Sequence, residues 1–172
     1  MAPSRDRLRV RSVRHRSVRR LPAHHRGDER GHSRRGCRDW SRVIALDTNV
    51  LARALAEDDE TQSPAAQKLL LGLSAESPGF INLTVTVELY WVLRQVLGIE
   101  AQRVHAIFDR LLATPAFEIE DGESVSEALE HARLGADFAD ALIEATNRLY
   151  GVTETATFDH GAARRFGWRL LR

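Results

Sequence analysis

Four acidic residues, widely separated along this 172-residue chain, have the chemistry of metal ligands. Asp47 directly follows a short apolar run and Asp159 follows a β-branched one, so each is predicted to lie at the carboxyl end of a strand. Glu88 and Asp140 fall within segments of helical periodicity. Because open α/β sheets bind ligands outside the carboxyl ends of their strands, the two strand-end acids are placed for chemistry rather than for packing.

The chemistry that such a set predicts is metal-assisted hydrolysis. Carboxylates gathered without an interleaved base repel one another, and a cluster of them is tolerated when cations occupy it. Hard oxygen ligands select Mg²⁺ or Mn²⁺. Such ions lower the pKa of bound water and stabilise the attacking and leaving oxygens of a phosphodiester displacement. The pattern therefore predicts a nuclease site, if the sheet places the strands before Asp47 and Asp159 side by side.

Glu88 is the most informative of the four acids. It lies three residues after Val85 and four before Val92, so helical spacing places it on the predicted buried stripe. An ionised carboxylate buried there requires a proton, a basic side chain or a cation. Trp91 follows the same stripe and is predicted to be a core residue rather than a platform for stacking bases.

Helix capping is the alternative explanation for the other acids. Asp137 is predicted to be the N-cap of the helix that contains Asp140, and Asp140 lies in its first turn, where the helix dipole favours negative charge. Asp159 is predicted to cap a short helix as well as to reach the site. For Asp140, capping and metal binding both remain open.

Short strands and helices must alternate to position these residues. The strands are predicted at 43–46, 80–83, 117–119, 153–158 and 168–171, and the helices at 50–55, 63–73, 84–97, 104–112, 124–134 and 138–149. Ser63 and Thr84 are predicted N-caps. This alternation is typical of βαβ units and predicts an α/β fold with a mainly parallel sheet covered on both faces.

The chain has two parts of opposite charge. Residues 1–42 contain fourteen arginines, no lysine and four acids, a formal charge of +10 that leaves −9 for residues 43–172. The first part has too few apolar residues to fold and is expected to be disordered. It is an RNA-binding arm, a transit peptide or, as the arginine bias favours, a misassigned start that precedes a true start at Val43. Residues 43–172 suit one domain.

The remaining composition narrows the cellular setting. No apolar run reaches the roughly 20 residues of a membrane span, and no signal peptide is visible. The only cysteine, Cys37, precedes the predicted domain, which therefore has no thiolate ligands and no disulfide. The sequence predicts a cytoplasmic protein that does not interact with a membrane and contains no structural zinc.

In these residues, the chain resembles the PIN-domain ribonucleases, and most closely the VapC toxins of bacterial toxin–antitoxin pairs. The resemblance covers essentially Val43 to Arg172. Family members usually begin a residue or two before the first strand, which also favours the start at Val43. The segments that carry the resemblance are IALDTNVL at 44–51, TVEL at 86–89 with WVL at 91–93, DFADALI at 137–143 and TFD at 157–159.

The resemblance implies a PIN-like three-layer α/β/α fold that uses Mg²⁺ or Mn²⁺ to cleave RNA. It also implies a homodimer, inhibited by a VapB-like antitoxin that wraps the toxin and reaches the acidic pocket with a basic side chain. The residues carried over are Asp47, Glu88, Asp140 and Asp159 as the metal-binding and catalytic set, with Asn49 and Thr157 as supporting polar residues.

Several alternatives remain beside this interpretation. Arg164 and Arg165 either contact RNA phosphates or form a solvated face. A haloacid-dehalogenase-type phosphatase also begins with a strand-end Asp, but Asn49 stands where its second Asp belongs. A PIN nuclease of RNA processing, which is not a toxin, and a non-catalytic domain that binds RNA or a partner both remain. The non-catalytic alternative ranks lower because it leaves the buried position of Glu88 unexplained.

Overall fold

Parallel strands and helices alternate along the described part of the chain, which comprises residues 42–56 and 59–172 of the computed structural model. The strands are β1 (Ile44–Ala45), β2 (Gly79–Ile81), β3 (Phe117–Ile119), β4 (Ala156–Thr157) and β5 (Arg169–Leu170). The helices are α1 (Thr48–Ala56), α2 (Gln62–Leu71), α3 (Leu83–Trp91), α4 (Ala101–Ala113), α5 (Gly122–Arg133), α6 (Phe138–Leu149) and α7 (His160–Phe166), with a π-helical turn at Val92–Val96. The leader predicted for residues 1–42 lies outside this part, except for Arg42.

The central sheet has the order β1-β2-β3, and both pairings are parallel. This confirms the predicted α/β class and the three-layer α/β/α fold with a mainly parallel sheet. Strands β4 and β5 pair with each other, also in parallel, as a separate two-stranded sheet. In the described residues β1 and β4 are therefore not hydrogen-bonded neighbours, contrary to the side-by-side arrangement considered for the sequence. Each is only two residues long and offers few backbone groups for pairing.

The start of α3 differs from the prediction because an asparagine ends β2 early. The prediction extended this strand to Leu83 and made Thr84 the cap. Instead, Asn82 caps α3, and its side-chain oxygen accepts a hydrogen bond of 2.9 Å from the backbone N–H of Val85. Asparagine is among the best N-cap residues, so α3 begins one residue after it.

The start of α2 also differs, because an upstream acid supplies the cap. Asp59 accepts hydrogen bonds from the backbone N–H groups of Thr61 at 2.9 Å and Gln62 at 2.6 Å. Ser63, the predicted N-cap, is buried in the first turn, where its hydroxyl accepts a bond from the backbone N–H of Asp59. Pro64 still lies in the first turn, where no intrahelical N–H donor is required.

The buried face of α3 contains predicted apolar residues but neither Glu88 nor Trp91. Val85, Leu89 and Leu93 lie in the core, at intervals of four residues. Glu88 is exposed and Trp91 is 57% exposed, so both predictions of burial were wrong. Two thirds of the side chains of α3 are apolar or aromatic, and a helix that is apolar on several sides does not reveal its inner face through periodicity.

The core that holds these elements is made of large aliphatic and aromatic side chains. Its fully buried members include Leu51, Ile81, Leu89, Leu93, Val104, Phe108, Val125, Leu129 and Phe138. Tyr90 on α3 stacks on Phe138 at the start of α6, with ring centroids 4.2 Å apart. Within the described residues, no helix has the length and apolarity to cross a membrane.

Candidate active site

Asp47 lies at the carboxyl end of β1, as predicted, and also begins α1. Its Oδ1 accepts a hydrogen bond of 2.9 Å from the backbone N–H of Val50. The side chain is exposed and lines a cleft of about 350 Å³ between α1 and α2, together with Asn49. Within the described residues the hydrogen bonds to Asp47 use Oδ1, so Oδ2 is available to another ligand.

Glu88 reaches the same end of the sheet from α3. The hydroxyl of Thr48 donates to Glu88 Oε2 at 2.6 Å, a contact between residues forty positions apart. Thr48 is buried at the start of α1, next to Asp47, so its own packing fixes the direction of the bond. Thr48 was not predicted as part of the site. Its only signal in the sequence is its place directly after the strand-end acid.

Asp137 and Asp140 have different roles at the start of α6. Asp137 is the N-cap, as predicted, and its Oδ1 accepts the backbone N–H groups of Ala139 at 2.9 Å and Asp140 at 3.1 Å. The Asp140 side chain is partly buried. Burial raises the pKa of Asp140, and the negative charges of Asp137 and Asp159 raise it further. Asp140 is therefore close enough to Asp159 for the two carboxylates to repel each other.

Asp159 lies just beyond β4 and caps α7, as predicted. Its Oδ1 accepts the backbone N–H groups of Gly161 at 2.5 Å and Ala162 at 2.9 Å. These bonds hold the pKa of Asp159 below its ordinary value, so the group stays ionised. Thr157 supports the turn, because its Oγ1 accepts the backbone N–H of Asp159 at 2.9 Å.

Two links connect the predicted acids: Glu88 is bonded to Thr48, the residue that follows Asp47, and Asp140 lies near enough to Asp159 to be affected by its charge. Asp47 with Glu88, and Asp140 with Asp159, are called the two carboxylate pairs below. Within residues 42–56 and 59–172, no three His, Cys, Asp or Glu side chains come close enough to hold one metal ion. The donors nevertheless fit a hard cation, because they are carboxylate, amide and hydroxyl oxygens. Mg²⁺ is usually held by one or two carboxylates, with water and substrate phosphate completing its shell, so a pair of carboxylates is sufficient.

The two arginines considered for RNA binding lie on α7. Arg164 donates from Nε to the carbonyl of His160 at 3.2 Å, and its charge contributes to the lowered pKa of Asp159. Arg165 donates from Nη2 to the carbonyl of Leu134 at 2.8 Å and so ties α7 to the turn between α5 and α6. Both residues are exposed. They place positive charge on the side of the site that holds Asp159.

Comparison with protein families identifies one family for this chain. The family model of the PIN domain matches residues 44–167. The matched range contains the four acids, both supporting polar residues and both arginines of the candidate site. No curated protein matches the chain.

Proposed function

Because the chain belongs to the PIN-domain family, whose members are generally metal-dependent nucleases, we propose that it is a ribonuclease that hydrolyses phosphodiester bonds at the two carboxylate pairs. The observation that carries this proposal is the position of Asp140, which is partly buried beside the charges of Asp137 and Asp159 and has a raised pKa. A divalent cation would relieve this repulsion. Capping alone does not explain it, because Asp137 already supplies the cap of α6.

In this proposal the residues of both pairs hold and orient a divalent cation. When bound, Mg²⁺ or Mn²⁺ would supply Lewis acidity and would lower the pKa of a water molecule that attacks phosphorus. The hydroxyl of Thr48 keeps Glu88 directed toward the end of β1, where Asp47 lies. The backbone donors at Asp159 keep that carboxylate ionised and therefore able to act as a ligand. Asn49 and Thr157 serve as supporting polar residues.

The decisive test is RNA cleavage by the full chain with Mg²⁺, Mn²⁺ or EDTA. Asp47→Asn and Asp159→Asn are informative because Asn caps a helix as well as Asp does, so each variant loses charge while keeping the helix start. Each should lose at least about 100-fold in rate, since even outer-shell partners of metal ligands cost 10–100-fold. Asp121→Asn is the matched control, because Asp121 also follows a strand and caps α5.

Two results would overturn the nuclease proposal. Cleavage that survives EDTA would show that no metal is required. Cleavage that is equal in wild type and Asp47→Asn would identify a contaminating ribonuclease. If Asp121→Asn also lost activity, the site variants would be acting through folding. Circular dichroism of all variants shows whether each of them is folded.

We further propose that this nuclease is the toxin of a toxin–antitoxin pair and acts as a homodimer. Support comes from the VapC-like segments and from the −9 charge of residues 43–172, which suits a VapB-like partner with a basic side chain. Induction of the wild type, but not of Asp47→Asn, should arrest growth, and co-expression of the product of a small upstream reading frame should reverse it. Light scattering should give about twice 19.4 kDa. Normal growth would favour a nuclease of RNA processing.

The arginines of α7 are proposed to contact substrate phosphates. Arg164→Gln is the cleaner variant, because the only described hydrogen bond of Arg164 is within its own helix. It should weaken RNA binding and reduce the slope of log affinity against log salt by about 0.7 for each single-strand phosphate that the arginine neutralises. An unchanged affinity and slope would identify a solvated face.

A further inference from the structure

A second cleft, of about 290 Å³, lies between α3 and the start of α6. Trp91, Arg94 and Gln95 line one side, and Gly135 and Asp137 line the other. Its other walls include the stacked pair of Tyr90 and Phe138, whose rings lie 13° from parallel. Its size is close to the lower limit of small-molecule sites, about 300 Å³.

This cleft borders the candidate active site on two elements. On α3, Val87 and Trp91 flank Glu88, and residues three apart such as Glu88 and Trp91 lie on the same side of a helix. On α6, Asp137 lines the cleft and precedes Asp140 by one helical turn. A nucleotide next to a phosphate held at the carboxylates is therefore within reach of the cleft.

Trp91 is placed unusually for so large an aromatic side chain. It is 57% exposed, whereas Trp168 is 8% exposed and donates its indole N–H to Glu144 at 2.5 Å. Aromatic residues bury a large apolar area when they pack in a core, and Trp91 instead leaves more than half of its surface exposed at the wall of a cleft. Stacking of bases on such rings is the main way in which proteins bind single strands without sequence preference.

The backbone and the charges around Trp91 fit an RNA strand. The turn that follows is a π-helix, closed by a bond of 2.9 Å from the N–H of Leu97 to the carbonyl of Val92, and such turns are frequent at functional sites. Arg94 is held in the cleft wall by a bond from Nη1 to the carbonyl of Ile99 at 2.5 Å. On the other side of the cleft, Arg165 lies close to Gly135: a Cβ atom added to this glycine would be 3.6 Å from Nη2 of Arg165. Arg94 thus lies in the cleft wall and Arg165 lies beside Gly135, one of the lining residues, while the lining also contains one acid, Asp137.

We infer that this cleft binds one unpaired base of the RNA substrate on the face of Trp91, with Arg94 and Arg165 neutralising the neighbouring phosphates. The inference rests on the proposed ribonuclease function. Because a base must be unpaired and unstacked to occupy the cleft, Trp91 selects single-stranded RNA at the cleavage site. The alternative occupant, a side chain of a protein partner, is an outcome of the test.

The test measures the affinity of a fluorescent eight-nucleotide single-stranded RNA for the full chain carrying Asp47→Asn, which prevents cleavage. Added Trp91→Leu should weaken binding about 5- to 100-fold, the usual loss for one stacked base. Trp91→Phe should retain most of the affinity, since it keeps a ring. Tyr150→Leu is the matched control, because Tyr150 is an aromatic residue 61% exposed beyond the end of α6, and it should bind like the parent.

A series of abasic oligonucleotides separates stacking from a structural effect. With the parent chain, removing the base at one position should weaken binding, and with Trp91→Leu the same removal should have no further effect. Equal weakening at every position, or unchanged affinity of Trp91→Leu, would overturn the inference. The inference would also be overturned if Trp91→Leu bound RNA normally but captured an antitoxin less well.

The same experiment separates this inference from the proposed function. Wild type and Trp91→Leu are assayed for RNA cleavage in parallel. If the wild type cleaves RNA and Trp91→Leu binds and cleaves equally well, the stacking site alone is wrong. If no variant binds RNA and the wild type does not cleave it, the ribonuclease proposal is wrong and the stacking site with it.

Discussion

At the scale of single residues, the acids of the candidate site differ in what surrounds their charge. Asp47 and Asp159 each accept backbone N–H groups at the start of a helix, so part of their charge is stabilised by the fold. Asp140 lies in a first turn that Asp137 already caps, and its pKa is raised. The fold therefore holds Asp140 at a cost in stability, which is typical of residues retained for function.

Asp140→Asn should stabilise the chain in the absence of metal. The folded-state pKa of Asp140 lies above its unfolded value, so its ionisation opposes folding at neutral pH, and this penalty disappears as pH falls below the unfolded pKa. A neutral amide removes the penalty at pH 7. We therefore expect thermal unfolding in EDTA to show a higher Tm for Asp140→Asn than for the wild type. A lower Tm would mean that the carboxylate makes a stabilising contact.

Thr48 is predicted to be a positioning residue for Glu88. Thr48→Val keeps the shape of the side chain and removes the donor of the 2.6 Å bond, whereas Thr48→Ser keeps the hydroxyl. We expect Val to lower activity by about 10- to 100-fold, as loss of a partner that orients a metal ligand does, and to raise the Mg²⁺ concentration needed. Ser should restore most of the activity. Equal loss with both variants would point to packing instead.

Among the helices and strands, the capping residues determined which boundaries could be predicted from the sequence. Strand β3 and the caps at Asp137 and Asp159 were predicted correctly, because a β-branched or aromatic run or an Asp before a helix is a local signal. The starts of α2 and α3 were missed because Asp59 and Asn82 compete for the same helix ends. Only three-dimensional packing decides between neighbouring caps.

The face of α3 and its π-helical turn were beyond local prediction for a different reason. Glu88 and Trp91 were assigned to the core because apolar residues surround them in sequence. The contact of Glu88 with Thr48 joins positions forty residues apart, and the extra residue of the turn at Val92–Val96 changes the register of the helix. Neither feature has a sequence period, so the candidate site was predicted from its acids and not from their partners.

The contact between α3 and α4 is predicted to make stability depend on pH. The hydroxyl of Tyr90 and Nε2 of His105 lie 3.0 Å apart and share a hydrogen bond. Burial lowers the pKa of His105, and the charge of Arg133 adds to this. The unfolded chain, with a histidine pKa of about 6.5, therefore takes up a proton more readily than the folded chain. The free energy of unfolding should be greatest above about pH 6.5 and fall as pH approaches the lower folded-state value.

Urea denaturation at pH 7.5, 6.5 and 5.5 measures this effect. In His105→Gln, the free energy of unfolding should fall less at low pH than in the wild type. The difference should be at most about 1.4 kcal/mol for each unit by which the pKa of His105 differs between the folded and unfolded states. His160→Gln, at the exposed start of α7, is the matched control and should keep the wild-type profile. Identical slopes in all three proteins would contradict a role for His105.

The charge of the domain bears on the proposed function, because a ribonuclease of negative net charge would have to bind a polyanion. Residues 43–172 carry −9, so long-range attraction does not draw RNA to this domain. Binding must instead depend on local groups, namely the arginines near Asp159 and Trp91 and the cations held by the carboxylates. Metal therefore has two effects in this proposal, since it supplies the chemistry and also cancels the charge that repels the substrate.

Divalent metal is accordingly predicted to stabilise the whole domain through the carboxylate pairs. A ligand that binds only the folded state adds about 2.7 kcal/mol at a hundred times its Kd, so Mn²⁺ or Mg²⁺ should raise Tm of the full chain by about 5–10 °C. Asp47→Asn and Asp140→Asn should each lose the part of this shift that comes from their own pair, and Asp121→Asn should keep all of it. An equal shift in Tm in all variants would mean that the metal binds elsewhere. No shift in the wild type at millimolar metal would favour a non-catalytic domain, because no cation would then bind beside Asp140 and relieve the repulsion there.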